Sequence, residues 1–504
     1  MKKNYLNFGL AAASLLAMGC STTGDDSAYK NYYNMNYSAA EYGLMSEMPE
    51  SGGDKFDDFK DNPFVKTADE PVSTFSVDAD GASYAIMRRY LTEGYKVDPS
   101  SVRIEEFLNY FTFNYASPKD DQTVAIHAEV GDCPWNAEHN LLQLGIKGKE
   151  LTAAEMPRAN FVFLVDVSGS MDSSDKIGLL KKGLTELLYQ LNPNDYISLI
   201  TYSGEVKKLL ESTPVREADK IKKAIGKLTA SGCTAGGEAL KMAYEEAMLN
   251  YVPNGNNRVI MGTDGDFNVG VTDTDALVEM VENYASKGIY MTCLGFGMGN
   301  LNDAMMEKIS NAGNGTYHYI DCENEMMKVF VHERSQFVSV ANDAKCQVSF
   351  NPDFVSEYRL IGYENRVMSN EDFENDKKDA GEIGAGQTIT ALYEIVLDKQ
   401  FYNTIDFNPT TCPDLVTFDF RYKKSLDGAS IPLKVTLTAD KPFNKYGRPD
   451  DFYFAAGVAA YGMILRDSPY TGDATIEMAK KLVRQGLSFD PHGYRAELLK
   501  LMEK

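Results

Sequence analysis

NFVFLVDVSGS, residues 160–170, is the stretch on which the fold turns. Phe161 to Val165 are apolar without polar alternation, as in a strand covered on both faces. The run ends on Asp166, Ser168 and Ser170, and Ile177, Leu180, Leu184, Leu187, Leu188 and Leu191 then form the stripe of an amphipathic helix. Gly169 lets the backbone turn tightly, so that one carboxylate and two hydroxyls can converge above the end of the strand. Ser and Asp before a helix also serve as caps, and this stretch alone does not choose between the two roles.

Downstream, strand and helix patterns alternate to about residue 335. YISLITY from Tyr196, RVIMGTD at 258–264 and IYMTCLGF at 289–296 are further buried runs, with helical segments around 218–228, 237–249 and 275–286 between them. Repeated units of this length predict a doubly wound, mostly parallel α/β sheet whose ligands sit at the carboxyl ends of its strands. SGCTAGGEAL at 231–240 is a Gly-rich loop opening a helix and offers Thr234, although alone it also suits a plain turn. TDG at 263–265 puts Asp264 at the carboxyl end of another strand, where the sheet brings it towards Asp166; alone it too suits a strand-ending turn. Oxygen-only donors suit a hard cation such as Mg²⁺, Ca²⁺ or Mn²⁺ and not zinc.

D-V-S-G-S, S-G-C-T-A-G-G and T-D-G-D-F-N-V-G, in this order and on these elements, resemble the von Willebrand factor type A domain and its metal-ion-dependent adhesion site. The resemblance implies such a domain over residues 158–336, with Asp166, Ser168, Ser170, Thr234 and Asp264 binding a divalent ion directly or through water. It names Mg²⁺ first, with Ca²⁺ or Mn²⁺ as alternatives. It further implies an open coordination position for a carboxylate of a partner protein, and a binding protein rather than an enzyme. One or two carboxylates around a dication leave positive character, so an acidic chain can still attract an acidic ligand locally. TFSVDADGASYAIMRRYL, VRIEEFLNYF, NEDFENDKKDAGEIGAGQTITALYEIV and FYFAAGVAAYGMILRDSPY resemble the flanking regions of a bacterial subfamily of these proteins, so that the likeness runs from about residue 70 onward.

Between about residues 71 and 120, Tyr84, Met87, Tyr90 and Leu91, then Ile104, Phe107, Leu108 and Phe111, have the spacing of two short helices. VAIHAEV (124–130) and NLLQLGIKG (140–148), within 121–150, read as paired strands. AKCQVSF, EYRLIGY, TITALYEIVL, LVTFDFRY and IPLKVTLT, within 340–440, predict a β-sandwich. The earlier pair is expected to join it, with the α/β domain inserted between. Residues 448–504 turn helical again, with Ala and Gly permitting close packing and no run long enough to span a bilayer.

At the start of the chain, Lys2 and Lys3 precede an apolar run from Phe8 to Gly19, the pattern of a cleaved secretory signal over residues 1–19. LLAMGC resembles the lipobox of bacterial lipoproteins, with Ala17 where the pattern prefers Leu, and implies lipidation and membrane anchoring at Cys20. STTGDD after it resembles surface-export signals, which places the expected location in the cell envelope, at the outer membrane. Residues 20–70 show no period and read as a flexible tether.

Against 50 Lys and Arg stand 73 Asp and Glu, a formal charge of −23, which argues against nucleic acid as a partner. The remaining cysteines, Cys133, Cys233, Cys293, Cys322, Cys346 and Cys412, are scattered singly, and a Cys346–Cys412 pair is left open. Asp264, Asp266 and Asn268 imitate an EF-hand loop, but Val269 and Asp275 stand where that loop needs Gly and Glu. The five His, among them His318, form no metal-spaced pair, and a metal-assisted hydrolase lacks an evident nucleophile or base. A scaffold whose metal only stabilises folding is the alternative to a binding protein.

Overall fold

The computed structural model describes residues 53–231, 237–265, 274–398, 412–441 and 449–504. Its strands are, in chain order, β1 Val65–Lys66, β2 Val72–Ser76, β3 Val124–Asp132, β4 Asn140–Gly148, β5 Ala159–Asp166, β6 Tyr196–Tyr202, β7 Val206–Pro214, β8 Asn256–Thr263 and β9 Ile289–Gly295. They continue as β10 Tyr317–Tyr319, β11 Ser339–Phe350, β12 Val355–Ile361, β13 Val367–Met368, β14 Gly381–Gly384, β15 Thr388–Leu397, β16 Asp414–Lys423 and β17 Ser430–Thr438.

The α/β sheet has the order β10-β9-β8-β5-β6-β7 and is parallel except for β7, which runs antiparallel to β6. All eight residues of β5 are buried, and alternate side chains serve opposite layers. Phe161, Phe163 and Val165 pack with Leu180, Leu184 and Leu187 of the helix Leu179–Gln190. Val162 and Leu164 pack with Ala239, Leu240, Ala243 and Tyr244 of the helix Gly237–Leu249. Two apolar layers are why the strand carries no polar alternation, and each fully buried Leu or Phe contributes about 1.5–3 kcal/mol. The chain leaves β5 for β6 on one side and reaches β8 on the other, so the winding reverses at the carboxyl end of β5.

Strand β7 is absent from the sequence reading. Its text, VKKLLESTP, exposes Lys207 and Lys208 at the sheet margin, where charge discourages pairing with another chain and also hides the strand's apolar signal. Strand β2 is likewise unanticipated, because VSTFS is short and half hydroxylated.

Two antiparallel sheets face each other beyond this domain: β1-β12-β15-β4-β3, and β13-β2-β11-β16-β17 with β14 also on β11. Leu142, Leu144 and Ile146 meet Cys346, Val348, Phe350, Phe418 and Phe420 between them. Strands β3 and β4 precede the α/β segment in the chain and β11 follows it, so that segment is inserted within the sandwich. The outer face of β4, β12 and β15 is covered too: Leu141, Leu392 and Ile361 share a core with Ile104, Phe107, Phe452 and Met463 of the helical flanks.

The flexible tether expected through residue 70 does not hold from residue 53 onward. Asp54 Oδ1 accepts from the backbone N–H groups of Gly299 (2.7 Å) and Leu301 (3.0 Å), Asn62 Nδ2 donates to Gly362 O (2.8 Å), and β1 pairs with β12. Polar side chains and backbone make these contacts, which leaves no apolar period to read. The expected signal and Cys20 lie outside the described residues. Cys346 is buried in the sandwich and unpaired, and Cys412 is also a free thiol, so the pair left open by the sequence is not formed. Among the described residues no helix is long and apolar enough to cross a membrane.

Candidate metal centre

Strand register brings the first and third motifs together. Val165 of β5 lies opposite Gly262 of β8, so Asp166 ends its strand beside Thr263 and one residue from Asp264. Both carboxylates are fully buried. Asp166 Oδ1 accepts from the backbone N–H of Ser168 (2.8 Å), and Oδ2 accepts from the Thr263 hydroxyl (3.0 Å), which fixes the carboxylate across the two strand ends. The Ser168 and Ser170 hydroxyls lie 2.9 Å apart. Ser168 is buried whereas Gly169 and Ser170 are exposed, so the cluster opens to solvent on the serine side.

Burial raises the Asp166 carboxyl above the usual carboxylate range; bonds from Ser168 and Thr263 pull it back, and the Asp264 charge adds to the rise. Lys176 Nζ donates to Asp264 Oδ2 (2.9 Å) and to the Ser170 carbonyl (3.0 Å), tying β8 to the serine turn. The other oxygen, Asp264 Oδ1, is buried with no hydrogen-bond partner. A buried carboxylate oxygen left unpaired costs about 1–3 kcal/mol or more, which marks a place where a further cation would be stabilised. Gly265 follows with φ +97° and its N–H on Thr263 Oγ1 (3.2 Å), turning the chain beneath the loop that Asp54 holds.

The structure therefore brings together Asp166, Ser168, Ser170 and Asp264. Thr234 lies outside the described residues, as do Asp266 and Asn268. Two carboxylates and two hydroxyls, one carboxylate oxygen unpaired, fit a hard dication; these four, with Thr234, would hold it. Thr263 and Lys176 belong to the same cluster but were missed. Thr263 stands beside Asp264 in TDG, a signal that was available; Lys176 closes the polar text MDSSDK, which reads as a solvated turn.

Histidines are engaged elsewhere. His318 sits in β10 within hydrogen-bond distance of Thr316 Oγ1 (3.0 Å), and burial, with Lys328 and Arg258 nearby, pushes it down to about 3. His139 pairs with Glu394 (2.5 Å), and His332 meets the Tyr494 hydroxyl (2.9 Å) and stacks on His492. Trp135 is a core residue whose Nε1 donates to Glu394 (3.2 Å).

Family comparisons agree with this organisation. Residues 160–331 match the von Willebrand factor type A domain, residues 50–143 a von Willebrand factor family, and residues 335–504 the C-terminal family of the uncharacterized protein YfbK. The chain is 37% identical over 474 residues to "Uncharacterized protein YfbK" of Escherichia coli, covering 90% of this chain and 81% of that one. It is 32% identical over 163 residues to human inter-alpha-trypsin inhibitor heavy chain H4, covering 31% of this chain and 17% of the relative. Among solved structures, a von Willebrand factor type A protein from Catenulispora acidiphila aligns with a TM-score of 0.44 at 16% identity, over 77% of this chain and 91% of that one.

Proposed function

The chain belongs to the YfbK family of bacterial proteins with a von Willebrand factor type A domain, and from that membership we propose a binding protein that recognises a protein ligand through a divalent cation. Domains of this type commonly mediate metal-dependent adhesion between proteins. The observation that carries the reading is the buried Asp264, one oxygen of which has no partner, brought beside Asp166 and the serine pair at the point where the sheet's winding reverses. Asp166, Ser168, Ser170, Thr234 and Asp264 hold the ion, Mg²⁺ first and Ca²⁺ or Mn²⁺ as alternatives. When bound, the dication supplies a positive centre with a vacancy for a carboxylate oxygen. Solvent reaches the cluster past Ser170, the side from which a partner's carboxylate would approach.

The same reading makes the chain exported, lipidated at Cys20 and attached to the outer membrane, as its opening residues suggest. It assigns no catalytic residue.

The test is Mg²⁺ and Mn²⁺ titration by calorimetry on the wild type and on Asp166→Ala, followed by retention of envelope proteins on each in Mg²⁺ or EDTA. Metal binding and metal-dependent retention should both vanish in Asp166→Ala while its circular dichroism stays native. Retention indifferent to EDTA sinks the adhesive reading. Metal-dependent melting without metal-dependent retention would point to the scaffold instead.

A further inference from the structure

Lys176 lies on the turn Ser174–Gly178 that follows the serine pair, and its ammonium is bonded to one of the two carboxylates assigned above to the cation. It donates to Asp264 Oδ2 at 2.9 Å and to the Ser170 carbonyl at 3.0 Å. Its side chain is only 14% exposed although it ends in a charge, whereas lysines ordinarily keep that charge in water. The stem is seated against Gly297: a Cβ there would come within 2.8 Å of Nζ and closer still to Cε, so only glycine leaves the groove open. Asp264 is fully buried, and an unneutralised carboxylate at that depth is strongly unfavourable. Lys176 is the only cation that touches it among the described residues.

We propose that Lys176 is an internal competitor for the divalent-cation site, neutralising Asp264 in the metal-free protein and withdrawing from Asp264 when the site is loaded. The inference rests on the preceding reading that these oxygens take a divalent ion. A dication on the unpartnered Asp264 Oδ1 would stand a few ångströms from the ammonium on Oδ2 of the same carboxylate, and the two positive charges repel. Two consequences follow from this competition. Metal affinity is reduced by the fraction of molecules in which Lys176 is withdrawn, and the metal-free chain keeps its fold because Asp264 is never left without a cation. The turn that must yield is not loose: its Asp175 pairs with Arg89 of the helix Ala82–Glu93 (2.9 Å), so withdrawal works against a contact with the N-terminal region.

The experiment uses the full chain and Mn²⁺ as the probe. Lys176→Met and Lys176→Gln should bind Mn²⁺ at least about tenfold more tightly than the wild type by calorimetry. Both should melt lower in EDTA and show a larger rise in Tm on adding Mn²⁺. A second measurement needs no variant: acetylation of Lys176 in the wild type, read by mass spectrometry, should increase severalfold at saturating Mn²⁺. Equal or weaker Mn²⁺ affinity in both variants, or Lys176 acetylation unchanged in wild-type protein shown to bind Mn²⁺, overturns the competitor role and leaves the metal reading intact. Folded wild type and variants that all fail to bind Mn²⁺ overturn the metal reading and this inference with it.

Discussion

Two glycines near the candidate metal centre share a backbone conformation but not a surrounding, and comparing them isolates what holds Asp264 in place. Gly265 has φ +97° and Gly299 φ +94°. A Cβ on Gly299 would meet nothing within 4 Å, whereas one on Gly265 would lie 2.6 Å from Leu301 Cα and 2.9 Å from the Asn300 carbonyl oxygen. Those are backbone atoms, held by Asp54 on the Gly299 and Leu301 amides, and they cannot rotate aside. Alanine in the left-handed region costs about 1–2 kcal/mol, offset by about 0.4–1 kcal/mol from the stiffer unfolded chain. Gly299→Ala should therefore lose about 0–1.5 kcal/mol. Gly265→Ala adds an overpacking cost of about 1–3 kcal/mol. Urea unfolding followed by far-UV circular dichroism should show that gap, and Mn²⁺ affinity should drop in Gly265→Ala alone, since the displaced turn carries Asp264. A difference between the two variants below about 0.5 kcal/mol, the ordinary scatter of surface substitutions, would refute the claim that this turn is sterically clamped.

Glu105 supplies a pH test. Burial, with Glu364 and Asp78 adding repulsion, pushes its carboxyl up to about 8. A raised folded-state value means stability that is whole below the ordinary 4.5 and is lost as pH rises through about 8. Glu105→Gln should thus gain on the wild type between pH 5 and pH 8 in urea midpoint, and a constant offset would contradict the sign. Arg495 is a buried cation bonded to Asp451 (2.8 Å), the Gly486 carbonyl (2.7 Å) and the Thr112 carbonyl (2.8 Å), with its guanidinium 4.0 Å from the Phe454 ring centroid. Arg495→Ala should cost about 3–5 kcal/mol by stranding Asp451, and Arg495→Lys should recover little, because one ammonium cannot reproduce a three-way planar fork; near-complete rescue by Lys would show that only charge matters.

Strand β5 was legible because both its faces are covered, so burial wrote an unbroken apolar run ending on a chemically odd triplet. The proximity of Asp166 and Asp264 was legible as well, since a doubly wound sheet delivers strand ends to one edge and the Val165–Gly262 register does so here. Five of the seven sandwich strands from β11 onward could be read from their apolar runs or alternation, whereas β13 and β14, two and four residues long, are too short to show a period. What could not be read has a shared cause. Strand β7 wears lysines because it is a margin, β2 is written in Ser and Thr, and residues 53–70 attach by Asp54, Asn62 and backbone groups. None of these segments advertises burial through an apolar period; in residues 53–70 Phe56, Phe64 and Val65 do pack, but too sparsely to form one. Lys176 was hidden by the same rule, as a charge in a polar turn whose partner, Asp264, is 88 residues away.

Inserted α/β domains are often pictured as beads on their linkers, but the ion pairs of this chain argue against that picture. Arg88 joins Asp321 (2.5 Å) and Glu325 (2.7 Å) at the end of the α/β segment to Glu497 (3.0 Å) of the C-terminal helix Tyr494–Leu501. Arg103 reaches Asp303 (2.7 Å) of the helix Asp303–Ala312, and Arg366, beyond β12, spans Asp78 (2.9 Å) and Asn311 (2.7 Å). The guanidinium of Arg103 and the carboxylate of Asp303 are almost wholly hidden from solvent. Desolvating such charges costs several kcal/mol per ion and is tolerated only where the partners stay in register, so these contacts behave as welds. With the N-terminal region, the sandwich side and the C-terminal helix all fastened to the α/β segment, a shape change at the candidate metal centre would have little to swing. What is left to move is the loops at the carboxyl edge, where the turn bearing Lys176 bonds the exposed Ser170 and Asp54 holds the loop at Gly299. A force applied at that edge would therefore pass straight into one welded body and not be taken up by a hinge.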